Sequence, residues 1–343
     1  MKRIPRQPER FQVLDLFAAI APAHGLSLND ATTCDRFLKI VRHSFEANAK
    51  NPIILHGTRV QAMFAFVAAS LGRAILVKEE DSGKIYATEP EIRPPDFRIH
   101  LEDTSAFFVE VKNHHDPEKP LRLSSSYLSS LRRYADISKL PLRIAVYWSK
   151  GNLWTLVSSQ HLPQRDGKFE LSFEKALKTN EMADLGDLNV ATTPPLTCRI
   201  ITDPSKPRKV GPSGETPFTI GSVEFFCAGR QIEQNEERNL AFYFMLFGNW
   251  VEPEPQVHIE EEQLIYIDFT TNHPAPVPGR EFQFIGTLSS MISRRFTALT
   301  APEGQIQSVL ASAEPGALGV VIPEEYKGTD LPLWRFVQQP NYG

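Results

Sequence analysis

The sequence predicts a mixed α/β protein that is built from two domains. Three observations favour this architecture: helical and strand patterns alternate after residue 58, a segment rich in proline and glycine divides the chain, and its 343 residues exceed a typical domain of about 150 residues. Hydrophobic residues make up 41% of the chain and charged residues 23%, which is ordinary for a globular protein. This composition excludes a disordered, collagen-like or mini-protein scaffold.

The first 50 residues are predicted to form a helical extension. Helical patterns cover residues 9–21 and 33–48, and in the second of these apolar side chains recur at helical spacing. The first segment also resembles a secretory signal, because basic residues precede an apolar run that ends in Ala21-Pro22-Ala23. Asp15 interrupts that run, so an amphipathic helix is the better interpretation.

Residues 51–203 are predicted to form the first domain, a mixed sheet flanked by helices. Helices are expected at Thr58–Leu71, where Gly72 ends the helix, and at 124–137. Strand patterns of four to seven residues cover Ala74–Lys78, Lys84–Ala87, Asp96–Leu101, Ala106–Val111, Leu142–Trp148 and Leu153–Val157. Turns are expected at 81–83 and 102–104. Strands and helices in this order predict a sheet with helices packed against it.

The remainder of the chain is predicted to be a second α/β domain. Residues 204–217 contain four prolines and two glycines and are interpreted as a linker. Beyond it, residues 218–343 contain strand patterns at Val223–Cys227 and Leu264–Phe269. Asn235 is placed to cap a helix that runs to Phe247. That helix is apolar on all sides, which predicts that it is buried.

Charge divides unevenly along the chain. Residues 1–198 hold 26 Lys and Arg against 23 Asp and Glu, whereas residues 199–343 hold 11 against 18. This asymmetry favours two modules with different partners, and the acidic domain is expected to dock a protein. The three cysteines have neither metal-ligand nor disulfide spacing, which favours a cytoplasmic protein. No uninterrupted apolar run reaches the roughly 18 residues of a membrane span, so no membrane association is expected.

The residues that carry chemistry lie in a predicted hairpin. Asp96 opens one strand, and Glu110 and Lys112 close the next, with 13 residues between Asp96 and Glu110. A hairpin brings the start of its first strand beside the end of its second, and strand alternation puts Glu110 and Lys112 on one face. Two carboxylates from separate strands can bind Mg²⁺, and a neighbouring lysine can stabilise the transition state of phosphodiester hydrolysis. An amphipathic strand with a solvated charged face is the alternative.

Pro95-Asp96 followed by Glu110-Val111-Lys112 resembles the motif of the PD-(D/E)XK nuclease superfamily, which has the restriction-endonuclease-like fold. The resemblance covers about residues 50–160, including the order of helices and strands around the motif. It implies a nuclease that depends on Mg²⁺ or Mn²⁺ and acts on DNA rather than RNA. It also implies that Asp96, Glu110 and Lys112 form the catalytic set, with Asp96 and Glu110 as metal ligands.

One position departs from the pattern of this superfamily. Many members carry a glutamate on the helix before the first strand, where this chain offers Gln61. Gln61 can hold a metal-bound water, and it is then part of the catalytic set. Alternatively, Thr58 and Gln61 form a capping box that only closes the start of the helix.

Basic residues and histidines near the motif are candidates for contacts to nucleic acid. They are His114, Arg122, Arg132 and Arg133. Arginine side chains commonly bind nucleic-acid phosphates, but arginines on an exposed helix and histidines in a surface loop are also common without a ligand. Because the front half is only slightly basic, the nuclease is expected to act with partners, as in a defence or mobile-element complex. The alternative is a catalytically inactive nuclease-fold scaffold or interaction protein, which the intact Asp96, Glu110 and Lys112 set disfavours.

Overall fold

The computed structural model describes residues 1–4, 12–81, 85–88, 91–323 and 325–343. Within these residues the helices are α1 (Val13–His24), α2 (Thr33–Ala49), α3 (Pro52–Ser70), α4 (Ser125–Ser138), α5 (Phe173–Lys178), α6 (Asn235–Phe247) and α7 (Leu288–Thr300). The strands of the front half are β1 (Ala74–Glu79), β2 (Phe97–Leu101), β3 (Ala106–His114), β4 (Leu121–Ser124), β5 (Leu142–Trp148), β6 (Leu153–Ser158), β7 (Gln164–Arg165) and β8 (Lys168–Leu171). The later strands are β9 (Asn189–Thr192), β10 (Leu196–Thr202), β11 (Ile220–Cys227), β12 (Arg230–Gln231), β13 (Gln256–Glu260), β14 (Gln263–Thr271), β15 (Gln283–Thr287) and β16 (Leu333–Phe336). The prediction of a mixed α/β architecture is confirmed.

A five-stranded sheet in the order β1-β2-β3-β5-β6 forms the centre of the front half. β3 and β5 run parallel, and the other neighbours run antiparallel. Alternate side chains of β3 enter two hydrophobic clusters on opposite faces of the sheet. Val109 and Val111 join the cluster that contains α3, whereas Phe108 joins the cluster that contains α4. Helices therefore cover both faces of this sheet.

The start of α3 differs from the predicted one. The helix begins at Pro52 rather than at Thr58, because the Asn51 side chain caps it by accepting hydrogen bonds from the N–H groups of Ile53 and Ile54. Pro52 fits the first turn of a helix, where its missing N–H leaves no bond unmade. Thr58 and Gln61 consequently lie inside the helix, and the interpretation of Gln61 as part of a capping box is wrong.

Length and apolar composition would allow α3 to cross a membrane, and it is the one helix of the described residues with this property. The expectation that no such segment exists rested on uninterrupted apolar runs and missed it. In the structure, the second half of α3 lies in the protein core, where Phe64 contacts the rings of Phe97 and Trp154. That environment is typical of a core helix.

The predicted linker at 204–217 joins two neighbouring strands of one sheet. β10 pairs with β11 on one side and with β14 on the other, in the five-stranded order β12-β11-β10-β14-β13. A strand from before the segment therefore forms the centre of a sheet whose other strands all come after it. The proline- and glycine-rich segment is a loop of that sheet, so the interpretation of 204–217 as a boundary between two separate units does not fit this pairing.

Two further features connect the halves of the chain. β9 lies between β15 and β16 in a three-stranded sheet, so residues 189–192 pair with strands near the C-terminus. The helix α7 packs against α3 and β6, and Trp154 Nε1 donates a hydrogen bond to Ser293 Oγ at 2.9 Å. One hydrophobic cluster accordingly runs from Val60 to Leu331.

The remaining differences from the predicted elements are local. Residues 85–87 form no strand, because β1 pairs directly with β2. Lys84 and residues 82–83 of the predicted turn lie outside the described residues, as do residues 9–11 of the first predicted helix. The helix α6 ends at Phe247 as predicted, but Asn235 is its first helical residue rather than its cap, and no described side chain caps it. Only one face of α6 is buried: Leu240 and Phe244 are buried, whereas Phe242 and Leu246 are exposed. It packs on β11 and α7 from one side, so the expectation of a helix buried all round is wrong.

Candidate active site

Asp96 lies immediately before β2, and the strand register sets it opposite Glu110. The pairing of Phe97 with Val109 in the antiparallel hairpin fixes that register. One oxygen of the Asp96 carboxylate accepts a hydrogen bond from the Val111 N–H at 2.6 Å, and the other accepts from Gln61 Nε2 at 2.7 Å. These two bonds orient a carboxylate whose residue is only 6% exposed.

Glu110 and Lys112 lie on the same face of β3, as strand alternation requires. Lys112 Nζ donates to Glu110 Oε1 at 2.5 Å and to the Tyr127 hydroxyl at 2.8 Å. Tyr127 belongs to α4, and its own hydroxyl proton is donated to the same Glu110 oxygen. Glu110 is 3% exposed, and the Lys112 side chain is 25% exposed. The structure thus brings Asp96, Glu110, Lys112 and Gln61 together and adds Tyr127 to them.

Burial and the charge of Glu110 change the pKa values of the neighbouring side chains Asp96, Lys112 and Tyr127. Burial, followed by the negative charge of Glu110, raises the pKa of Asp96 to about 7, although the Val111 N–H and Lys112 act against this rise. Burial opposes the charge of Lys112, but Glu110 and Tyr127 outweigh it and raise the pKa of the ammonium. Burial and Glu110 raise the pKa of Tyr127 to about 12, so its hydroxyl remains a donor at neutral pH. A single ammonium therefore faces two buried carboxyl groups.

A cleft of about 760 Å³ opens beside these residues. Its walls come from α3, from the carboxyl ends of the parallel strands β3 and β5, and from α7. The lining includes Gln61, Lys112, His56, Arg59, His115 and Thr297. Thr297 comes from the C-terminal part of the chain, so residues on both sides of 204–217 build the cleft.

Asp96 and Glu110 form a donor set that suits a divalent cation. Mg²⁺ prefers oxygen ligands and commonly uses only one or two protein carboxylates, with water completing its coordination. Within the described part of the chain, no group of three or more His, Cys, Asp and Glu side chains is arranged to hold a metal ion. Two opposed and buried carboxyl groups with one lysine leave negative charge that a divalent cation would neutralise. The residues present therefore fit Mg²⁺ or Mn²⁺.

Two of the arginines predicted to contact nucleic acid form ion pairs with nearby carboxylates. Arg122 lies on β4 and pairs with Glu170 at 2.7 Å. Arg133 lies on α4 and pairs with Glu91 at 2.5 Å. Neither residue lines the cleft formed by the described residues. Their contact with nucleic acid therefore stays a prediction.

The other two predicted contacts, Arg132 and His114, also have protein partners outside the cleft. Arg132 donates a hydrogen bond to the Ser159 carbonyl, and its guanidinium lies 4.8 Å from the ring centre of Phe169. His114 Nε2 lies 2.8 Å from the carbonyl oxygen of Lys119. Its neighbour in sequence, His115, is the histidine of this pair that lines the cleft.

Sequence reasoning missed three residues that the structure places at the site. Tyr127 shares one face of the predicted 124–137 helix with Leu128, Leu131 and Tyr134, a spacing that is typical of core residues. Arg59 and Thr297 lie far from the motif in sequence and meet in the cleft through the packing of α3 against α7. A polar hydroxyl on an otherwise apolar face was the signal available for Tyr127. No local signal pointed to Thr297.

Comparisons with known proteins add little to this geometry. No protein-family model matches the chain, and no curated protein matches it. Among solved structures, the chain is similar in part to the Holliday junction resolvase Hjc of the archaeal hyperthermophile Archaeoglobus fulgidus. The identity is 18%, the TM-score is 0.24, and the match covers 29% of this chain and 74% of the resolvase chain. A likeness at this TM-score does not identify the fold, so the function proposed below rests on the site.

Proposed function

We propose that this protein is a nuclease that uses Mg²⁺ or Mn²⁺ to hydrolyse phosphodiester bonds of DNA. The observation that carries the proposal is the opposition of two buried carboxyl groups, Asp96 and Glu110, beside Lys112 at the edge of an open cleft. Structural ion pairs rarely bury two carboxylates against one cation, because the uncompensated charge is costly. A divalent cation held by Asp96 and Glu110 would remove that cost and would give the arrangement a function.

Each side chain has a distinct task in this proposal. Asp96 and Glu110 hold the metal ion, and when bound it lowers the pKa of water and neutralises charge that develops on the phosphate. Lys112 points its ammonium at the reacting phosphate and stabilises the added negative charge. Gln61 and the Val111 N–H orient Asp96, while Tyr127 fixes Glu110 Oε1. This positioning keeps both carboxylates aligned before substrate binds.

The partners follow from the same proposal. DNA is the substrate, and a protein partner docks on the acidic C-terminal region, as in a defence or mobile-element complex. The slight positive balance of residues 1–198 supports a need for such a partner, because nucleic-acid affinity depends on the number of phosphates that basic groups neutralise.

A cleavage assay with matched variants tests the proposal. Purified protein is incubated with single-stranded, duplex and branched DNA in Mg²⁺, in Mn²⁺ and in EDTA. We expect cleavage with either metal ion, none in EDTA, and loss of cleavage in Asp96→Asn. Asp116→Asn is the control, because Asp116 is a carboxylate that pairs with Lys119 on a surface loop. We also expect isothermal titration calorimetry to detect Mn²⁺ binding that Asp96→Asn abolishes and Asp116→Asn retains.

The alternative function is a nuclease-fold scaffold without catalysis. Wild-type protein that binds DNA but leaves every substrate intact in both metal ions would favour this alternative. Cleavage that survives in Asp96→Asn would place the chemistry elsewhere in the chain and overturn the proposed site.

A further inference from the structure

The cleft contains a buried arginine without a counter-charge. Arg59 on α3 is 7% exposed. Its Nε donates to Thr300 Oγ1 at 3.0 Å, and one terminal nitrogen donates to Thr297 Oγ1 at 2.8 Å. The other terminal nitrogen donates to no described residue, and no carboxylate of the described residues lies within ion-pair distance of this guanidinium. Neutral hydroxyls are therefore the hydrogen-bond acceptors of a buried positive charge.

This environment differs from that of two half-buried arginines that have carboxylate partners. Arg143 has a side chain that is largely buried, and it pairs with Glu181 at 2.7 Å and with Asp184 at 2.8 Å. Arg199 is bound by both carboxylate oxygens of Asp268, each at 2.7 Å. Burying a charge costs free energy unless an opposite charge compensates for it. Arg59 lacks this compensation, and burial accordingly lowers its pKa.

The position of Arg59 indicates where the missing charge would come from. It lines the cleft together with Gln61 and Lys112, the two candidate catalytic residues that reach the cleft wall. His56 lies nearly one helical turn before it, and His115 faces the same cleft from the end of β3. A ligand that enters the cleft to reach Lys112 thus meets a preorganised guanidinium. Guanidinium groups bind phosphate oxygens in a bidentate geometry.

We propose that Arg59 binds a phosphate of the DNA backbone that neighbours the phosphate being cleaved. This inference rests on the proposed function, and it assigns Arg59 to substrate binding rather than to the chemical step. Thr297 and Thr300 of α7 are positioning residues that hold the guanidinium towards the cleft. The C-terminal part of the chain therefore acts on DNA binding through the arginine that it orients.

The competing explanation is that Arg59 only stabilises the packing of α3 against α7. A purely structural residue contributes to the stability of the fold. Its removal changes neither the salt dependence of DNA binding nor the affinity of the folded protein for DNA. A phosphate ligand contributes to both, because each neutralised phosphate releases counterions from DNA.

Fluorescence anisotropy with a labelled duplex of mixed sequence distinguishes the two explanations. Binding is measured in EDTA, which prevents cleavage, across a series of salt concentrations. For Arg59→Gln we expect affinity to fall roughly tenfold and the slope of log affinity against log salt to decrease by about 1. Arg230→Gln is the matched control, because it loses the same charge at a residue that pairs with Asp330 and is not among the described residues that line the cleft. It should leave the slope unchanged.

A second variant guards against misfolding of Arg59→Gln. Thr297→Val keeps the charge of Arg59 and removes one of its two acceptors, and it should weaken DNA binding severalfold while circular dichroism remains that of the wild type. If Arg59→Gln is folded and keeps both wild-type affinity and slope, or if Thr297→Val binds DNA as the wild type does, the inference is wrong while the proposed function stands. If the wild type neither binds nor cleaves DNA, both the proposed function and this inference are wrong.

Discussion

The Glu110–Lys112 pair should be more strongly coupled than an ordinary surface ion pair. Breaking a buried ion pair by removing one partner costs about 3–5 kcal/mol, because the other charge stays buried alone. The Lys112 side chain is 25% exposed, and Tyr127 remains as a donor to Glu110 after the lysine is lost. For Lys112→Met, which keeps the apolar stem, we therefore expect a smaller loss of about 2–3 kcal/mol in the free energy of unfolding.

Substitution of the other partner, Glu110, should destabilise the protein less. Glu110→Gln keeps an acceptor for Lys112 and Tyr127, and it relieves the repulsion that raises the pKa of Asp96. We expect it to destabilise the protein by about 1 kcal/mol. In the double variant the two losses should not add, which gives a coupling energy of about 1–2 kcal/mol.

Urea denaturation of the wild type, both single variants and the double variant measures this coupling. The Arg122–Glu170 pair is the control, since its 2.7 Å separation is similar but the Arg122 side chain is 61% exposed. Its cycle, built from Arg122→Met and Glu170→Gln, should give a coupling energy within about 0–1 kcal/mol. A coupling at Glu110–Lys112 that is no larger than at Arg122–Glu170 would refute the assignment of a buried charge cluster at this site.

Three further predictions concern other parts of the molecule. Tyr127→Phe should lower kcat about tenfold with little change in KM in steady-state cleavage assays, because it removes only the hydroxyl that donates to Glu110 and accepts from Lys112. An unchanged kcat would show that Tyr127 is dispensable. Burial raises the pKa of Asp187 from 3.8 to about 6. Between about pH 4 and 6 the folded protein therefore keeps a proton on Asp187 that the unfolded chain has lost. The free energy of unfolding should consequently fall by about 3 kcal/mol as pH rises from about 4 to 6. Urea midpoints of Asp187→Asn should lack that fall, and parallel pH profiles for variant and wild type would contradict the prediction. Fragments 1–203 and 218–343, expressed separately, should lack the cooperative unfolding of the whole chain by circular dichroism, because each loses pairing partners of β9 and β10; two independently folded fragments would restore the predicted linker.

Helices and strands with a clear pattern of apolar residues could be predicted from the sequence. β5 has the predicted bounds because Leu142–Trp148 is apolar apart from Arg143 and rich in residues that favour strands. The helix α4 differs from its predicted range by one residue at each end. The opposition of Asp96 and Glu110 followed from the hairpin alone, since antiparallel pairing fixes which residues face each other. Short-range geometry therefore sufficed for the pair of carboxylates and for the position of Lys112.

The rest of the site depends on contacts between distant segments. The role of Gln61 depended on the residue at which α3 begins. The capping residue Asn51 lies outside the segment 58–71 that was predicted to be helical, so its effect on the start of α3 was missed. Prolines and glycines at 204–217 fit a linker and a long loop between paired strands equally well, and only the partners of β10 decide between them. Thr297 reaches the cleft by the packing of α7, for which sequence spacing gives no signal.

The way the C-terminal part completes the cleft changes what its charge means. Residues 199–343 are acidic as a whole, which by itself predicts repulsion of DNA. The element that this part contributes to the cleft is α7, whose sequence contains Arg294 and Arg295 and no acidic residue. Its threonines hold Arg59, and Arg294 donates to the Gly248 carbonyl rather than to a carboxylate. The electrostatic potential in a cleft depends more on the groups that line it than on the net charge of distant residues. Solvent and salt screen the interactions of exposed charges over about 10 Å. Under the proposed function, the acidic balance of residues 199–343 is therefore compatible both with a protein partner on this part of the chain and with a phosphate in the cleft that α7 helps to build.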